Sequence, residues 1–165
     1  MRRAFLVLTA LVLSACHCHV YCFSTGGLPA DVKTVAIIPF DNETTSSEIT
    51  RELTEALRDG LEKRLGLRSA DEAKASAIVR GKITRYDVDV PVAISADRRA
   101  TTTSRRRLQI AIDIELVRQS DGKILWQRQN LAAEGEYAER AEDAGRKQAI
   151  EKIVADVIEG AQSQW

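Results

Sequence analysis

The run Leu108-Gln109-Ile110-Ala111-Ile112-Asp113-Ile114-Glu115-Leu116 constrains the fold of this chain more than any other segment. Large aliphatic residues occupy every second position, and Gln109, Ala111, Asp113 and Glu115 stand between them. A strand sends successive side chains to opposite faces, so a period of two predicts a strand with one buried and one polar face. A helix would scatter the same aliphatics around its circumference. Such a strand cannot stand alone. It needs neighbours in a sheet and a second layer over its apolar side.

The rest of the sequence supplies both. Ala77 to Val90 reads as a long strand, with Val79, Gly81 and Ile83 on one phase and Tyr86, Val88 and Val90 on the other. The slip near Thr84–Arg85 predicts a bulge, and Pro91 predicts the stop. Ser120-Asp121-Gly122-Lys123 predicts a hairpin turn, from which Ile124 to Glu134 returns antiparallel. Upstream, Thr34 to Phe40 (TVAIIPF) is apolar on both faces, as suits a strand covered on both sides in a parallel pairing.

Two segments carry helical periodicity. Thr45-x-x-Glu48 fits a capping box, and Ile49, Leu53, Ala56, Leu57, Gly60, Leu61 and Leu65 follow at three- and four-residue steps up to Gly66. Glu139 to Gln162 repeats the pattern with Ala149, Ile150, Ile153, Val154, Val157, Ile158 and Ala161. Between the first helix and the long strand, Ser69 to Ser76 reads as a loop or a short helical turn. The predicted order is β-α-β-β-β-α. That is an α+β two-layer sandwich, with two helices packed on one face of a four-stranded mixed sheet.

The N-terminus has a different character. Arg2 and Arg3 precede an apolar run from Ala4 to Leu13, broken only by Thr9. That run is too short to span a bilayer and has the length of a signal-peptide core. It ends in Leu13-Ser14-Ala15-Cys16, small residues before a cysteine, which resembles the bacterial lipobox. The expected organisation is a lipoprotein signal peptide over 1–15, a lipidated tether and lead-in loop over 16–31, and the folded domain over 32–165. Lipidation falls on Cys16, and its acyl chains are strong enough together to hold the protein at a membrane. By resemblance to lipoprotein sorting, His17 in second place of the mature chain favours the outer membrane, periplasmic side. Loss of Arg2 and Arg3 takes the basic count from 24 to 22 against 24 acidic residues, so the mature chain is nearly neutral.

That balance excludes a globally basic nucleic-acid binder. The eight aromatic residues offer little for stacking on bases. Both histidines, His17 and His19, lie in the tether, so the folded domain has none for acid–base work. No Gly-x-Ser-x-Gly, Walker or Gly-x-Gly-x-x-Gly motif is present, and the chain reads as a non-enzyme. Cys16-His17-Cys18-His19 with Cys22 has metal-ligand chemistry, but a lipidated Cys16 has no thiolate to give. We therefore expect no metal and no cofactor beyond the lipid. Cys18 and Cys22 are free to pair in an oxidising compartment or to stay reduced.

One polar feature stands out. Arg98 and Arg99, with Arg105, Arg106 and Arg107, flank Ala100 to Ser104 at the connection between the two longest strands. A solvated loop is the plain reading. The functional one is an anion-binding tip, because guanidinium forks match phosphate in a bidentate way, and the polyanion of that compartment is lipopolysaccharide.

Longer stretches resemble a known family. Val20-Tyr21-Cys22-Phe23-Ser24 and then Leu28-Pro29-Ala30-Asp31-Val32-Lys33-Thr34-Val35-Ala36-Ile37-Ile38-Pro39-Phe40-Asp41-Asn42-Glu43-Thr44 are similar to the start of the LptE family, the lipopolysaccharide-assembly lipoproteins. The helix from Glu48 to Leu57, Val79-Arg80-Gly81-Lys82-Ile83 and Gly122-Lys123-Ile124-Leu125-Trp126 look alike as well. The family's lipid cysteine lies three residues before the tyrosine, which would be Cys18. His17 precedes Cys18 where a small residue is needed, so Cys16 keeps the assignment.

The resemblance implies a plug-like partner of an LptD-type outer-membrane β-barrel, engaging lipopolysaccharide without covalent chemistry and touching no nucleic acid. Val35-Ala36-Ile37-Ile38-Pro39-Phe40-Asp41-Asn42 also resembles LpoB- and CsgG-type lipoproteins, a cell-wall synthase activator and a secretion-channel subunit. The Leu-Pro lead-in and the short tether favour LptE.

Overall fold

The computed structural model describes residues 28–91 and 105–163. Its centre is the alternating segment. Leu108, Ile110, Ile112, Ile114 and Leu116 of β5 (Arg105–Arg118) are all buried on one face of the sheet. β4 (Ala77–Pro91) and β6 (Ile124–Ala138) pair with it antiparallel on either side. β1 (Thr34–Ile37) lies parallel to β4, joined to it through helix α1 (Glu48–Leu65). Helix α2 (Glu142–Ser163) closes the chain. Ile49, Leu53, Leu57 and Leu61 of α1 and Ile150, Ile153, Val157 and Ile158 of α2 meet the aliphatic face of the sheet in one core. The two-layer α+β architecture is the expected one.

The sheet has six strands where the periodicity predicts four. β2 (Asp41–Asn42) pairs parallel with β4, and β3 (Arg68–Ser69) pairs parallel with β1, extending the strand path to β3-β1-β4-β5-β6. Both additions are two residues long, too short for any alternation to show. They exist because distant strands present free edges. A 3-10 turn at Glu72–Lys74 occupies the predicted loop or turn.

The ladder between β4 and β5 slips between Ile83 and Arg85, where the phase change placed a bulge, and again between Asp87 and Val90. Pro91 still sits opposite Arg106 as the last pair, one residue beyond the expected stop. Gly122 supplies the positive φ of 68° that the turn between β5 and β6 requires.

Helix ends differ from the sequence reading at their starts. Gly66 ends α1 in the left-handed conformation, and the amide of Leu67 reaches back to the Leu61 carbonyl at 3.3 Å. No side chain caps the first turn, so the Thr45–Glu48 box does not form. Asn42 organises the lead-in instead. Its Oδ1 accepts from the Thr44 amide at 2.8 Å and the Thr44 hydroxyl at 2.7 Å, while its Nδ2 donates to the Ser46 carbonyl at 2.7 Å. α2 starts three residues later than expected, because β6 runs on to Ala138 and Arg140 takes a φ of 67° in the turn.

The helices approach very closely at glycines. A Cβ on Gly60 of α1 would come within 2.5 Å of Val154, and one on Gly135 of β6 within 1.8 Å of the Gly145 carbonyl oxygen in α2.

Candidate functional site

With both helices on one side, the other side of the sheet carries the remaining side chains. Cross-strand register arranges them in rows, since paired residues share a face. One row is apolar: Ala36, Ile78, Val117 and Ile124 stand opposite one another across β1, β4, β5 and β6. Ile124 is 46% exposed, the largest exposure of any bulky aliphatic in the described structure.

The neighbouring rows are charged and internally paired. Arg80 Nε donates to Glu115, and Lys82 lies 3.2 Å from Glu43 and 3.9 Å from Asp113. Further along, Arg85 lies 3.8 Å from Asp87. Exposed pairs of this kind contribute about 0–1 kcal/mol each, so they do little to hold the fold together. Their effect is to present a polar surface of alternating sign with little net field, suited to a polar wall rather than to a polyanion.

Of the sequence-predicted arginines, Arg107 falls at the far end of this face. Arg106 and Arg107 are strand residues, and alternation sends them to opposite faces: Arg106 stands opposite Tyr137 and Arg107 opposite Glu136. Arg106 meets Glu139 at 3.6 Å. Arg107 reaches Glu134 at 3.0 Å and Glu136 at 3.8 Å, and its Nε is buried without a hydrogen-bond partner among the described residues. Arg105 belongs to β5, and its backbone pairs with Ala138. Arg98, Arg99 and Cys16 lie outside the described residues. The structure therefore sends Arg106 and Arg107 to opposite faces of β5.

Sequence reasoning missed the most heavily engaged side chain. Arg146 in α2 is buried, with its side chain 7% exposed, and it ties together three elements. Its Nε and Nη2 reach the Glu52 carboxylate of α1 at 2.8 and 3.1 Å, and Nη2 also reaches Asp143 at 2.9 Å. Glu48 lies at 3.4 Å, Glu142 at 3.6 Å and the Tyr86 hydroxyl of β4 at 3.4 Å. Tyr86 in turn donates to Glu142 at 2.5 Å. The guanidinium is held charged well above its ordinary range, first by the hydrogen bonds to Glu52, against the opposing effect of burial. Burial pushes the Tyr86 hydroxyl up to about 12, with Glu142 adding to the rise and Arg146 opposing it. The signal was available: Arg146 stands three and four residues before Ala149 and Ile150, in register with the apolar stripe.

Among the described residues, no three His, Cys, Asp or Glu side chains group to hold a metal ion, and no helix is long and apolar enough to cross a membrane. The geometry is that of a recognition surface built on a rigid two-layer scaffold.

This α/β layering defines a class shared with solved bacterial proteins. PelC from Paraburkholderia phytofirmans, solved as a dodecamer, matches at a TM-score of 0.55 with 17% identity, over 84% of this chain and 94% of its own. The hypothetical protein CT253 from Chlamydia trachomatis matches at 0.51 with 10% identity, over 78% and 97%. The protein XCC0632 from Xanthomonas campestris also matches at 0.51, with 12% identity, over 81% and 87%. At these identities the likeness is one of fold. No curated protein matches the sequence. The chain belongs to the LptE family: the family's model, described as lipopolysaccharide-assembly, matches residues 32–158. It is thereby an outer-membrane lipoprotein of the lipopolysaccharide-assembly type, in a family that works without a cofactor.

Proposed function

We propose that this chain is the lipid-anchored partner of an LptD-type outer-membrane β-barrel, held on the periplasmic side through Cys16. It assists the transport and assembly of lipopolysaccharide by binding, with no covalent step. The observation that carries this reading is the family match across nearly the whole folded domain, residues 32–158. The open face supports it. Rows of paired charges around Lys82 and Arg80 suit the polar wall of a barrel lumen better than they suit lipid or nucleic acid. The arginine-rich connection, Arg98, Arg99, Arg105, Arg106 and Arg107, engages phosphates of the glycolipid. Arg106 and Arg107 act there from opposite faces of β5.

The test is a crosslinked pull-down of C-terminally tagged protein from solubilised outer membranes. A stoichiometric LptD-type barrel is the expected partner. A cell-wall synthase, or a ring of this protein alone, would replace the reading with the activator or channel alternative. In the same cells Cys16→Ser removes acyl labelling; labelling that persists moves the anchor to Cys18. Changing Arg105, Arg106 and Arg107 to Ala weakens lipopolysaccharide binding at low salt while leaving the melting transition in place.

A further inference from the structure

The arginines at the start of β5 are already in use. Arg106 meets Glu139, and Arg107 meets Glu134 and Glu136 across the ladder to β6. A phosphate that comes to Arg107 therefore has to replace a partner. How readily it does so depends on how the two acids hold the guanidinium.

They do not hold it as one anion would. A single carboxylate or phosphate grips a guanidinium with two oxygens at once, one on each prong. Here the grip is divided between two residues. Glu134 Oε2 lies 3.0 Å from Nη1, and Glu136 Oε1 lies 3.8 Å from Nη2. The second distance is too long for a hydrogen bond. The Arg107 Nε is buried, so a ligand is left with the Nη1–Nη2 edge that the two acids share.

All three side chains reach water: Arg107 is 30% exposed, Glu134 44% and Glu136 47%. Exposed one-pronged pairs contribute little, and their carboxylates turn readily to solvent. The backbone that carries them is more firmly held. Lys152 Nζ of α2 donates to the Glu134 carbonyl at 2.7 Å, and Gln148 Oε1 accepts from the Glu136 amide at 2.8 Å. The acids are thus kept beside Arg107 on a fixed frame, while their side chains stay exchangeable.

We propose that Glu134 and Glu136 are the resident counter-ions of an anion seat at Arg107, and that a phosphate group of the ligand enters by displacing both and taking the two prongs together. The inference deepens the proposed function and rests on it, since it states how one of the arginines takes its phosphate. The acids make the seat selective. They repel anions in general, and a phosphate offsets that repulsion with a forked grip that chloride cannot make.

The experiment uses the full chain and purified lipopolysaccharide at low salt, beside the same lipopolysaccharide with its phosphates removed. Glutamine keeps the shape of glutamate and the backbone bonds to α2. The double variant Glu134→Gln, Glu136→Gln should therefore bind the phosphorylated glycolipid about fivefold or more tightly than the native chain does. Adding Arg107→Ala should abolish that gain. Adding Arg107→Lys, which keeps the charge without the fork, should abolish most of it. Glu151→Gln with Glu159→Gln removes the same two charges from exposed positions on α2 and should change affinity by less than about twofold. The dephosphorylated glycolipid and phosphatidylglycerol vesicles should show no gain in the double variant.

Native binding with no gain in the double variant overturns the inference and leaves lipopolysaccharide binding standing. A gain that survives Arg107→Ala, or that the α2 control matches, overturns it as well, because net charge would then be the cause. An equal gain on phosphatidylglycerol vesicles overturns the assignment to the glycolipid. If neither the native chain nor any variant binds lipopolysaccharide, the glycolipid part of the proposed function fails and this inference fails with it.

Discussion

Replacing Arg146 with Met tests whether the five-partner network is a net stabiliser or only a crowded polar site. The guanidinium makes a two-pronged bond to Glu52, whose carboxylate is 29% exposed. A charge-assisted bond of that kind contributes about 1.5–3 kcal/mol. The other carboxylates are open to water: Glu48 is 67% exposed, Glu142 43% and Asp143 90%. Each of those contacts adds about 0–1 kcal/mol. Breaking a fully buried ion pair costs about 3–5 kcal/mol, but here the orphaned carboxylates can turn to solvent, so that limit is not reached. Methionine keeps part of the packing of the arginine stem. We expect a net loss of about 2–3 kcal/mol, or a fall of about 6–12 °C in Tm for a domain of this size.

Urea unfolding followed by far-UV circular dichroism at pH 7 measures the loss directly. A double-mutant cycle with Glu52→Gln isolates the pair and should give a coupling of about 1–2 kcal/mol. An Arg146→Met protein as stable as the native one, or more stable, would show that the network is not a net stabiliser. Apolar packing would then outweigh the ion pairs, a known outcome for buried charges.

Three further outcomes follow from the geometry. Tyr86 has a folded-state pKa of about 12, above the ordinary value of 10.0, so below pH 10 it is neutral in both states. Between about pH 10 and 12 the unfolded chain ionises first and the fold loses stability as pH rises, a loss that Tyr86→Phe should remove in alkaline melts. Gly135→Ala drives a methyl group into the Gly145 carbonyl and should cost at least about 3 kcal/mol. Gly66→Ala, where nothing lies within 4 Å and only the φ of 68° resists, should cost about 1–2 kcal/mol; equal Tm shifts for the two would contradict the close packing of α2 on β6. Ile112→Asp puts an unpaired charge at a fully buried position and should abolish the cooperative thermal transition, whereas a native-like melt would overturn the face assignment of β5.

The parts of this fold that were legible in sequence are those written over many residues. The alternation from Leu108 to Leu116, the stripe from Ala149 to Ala161 and the phase change at Thr84–Arg85 each repeat or break a period, and each corresponds to a structural feature. What escaped depends on single contacts between distant residues. Two-residue strands such as Arg68–Ser69 have no period to read. Thr45 has the chemistry of a cap, yet the helix opens at Glu48, because Asn42 already binds the turn that leads into it. Ile37 and Ile38 were expected to be covered on both sides but are only half-buried, since β3 ends before it reaches them. For the candidate site, the arginine cluster was visible as composition. That Arg106 and Arg107 face opposite ways follows only from strand register, and Arg146 was hidden by the assumption that charges face water.

The contact between Trp126 and Gly160 gives the molecule a built-in optical gauge. The indole of Trp126 on β6 lies so close to Gly160 on α2 that a Cβ there would come within 2.4 Å of Nε1. The chain has two tryptophans, and Trp165→Phe leaves Trp126 as the sole emitter. Its fluorescence then reports whether the last two turns of α2 are seated on the sheet. A blue, unquenched emission marks the docked helix, and a red shift marks its release. Recorded while a partner binds, that signal separates events on the helix layer from events on the opposite face, which the indole does not sense.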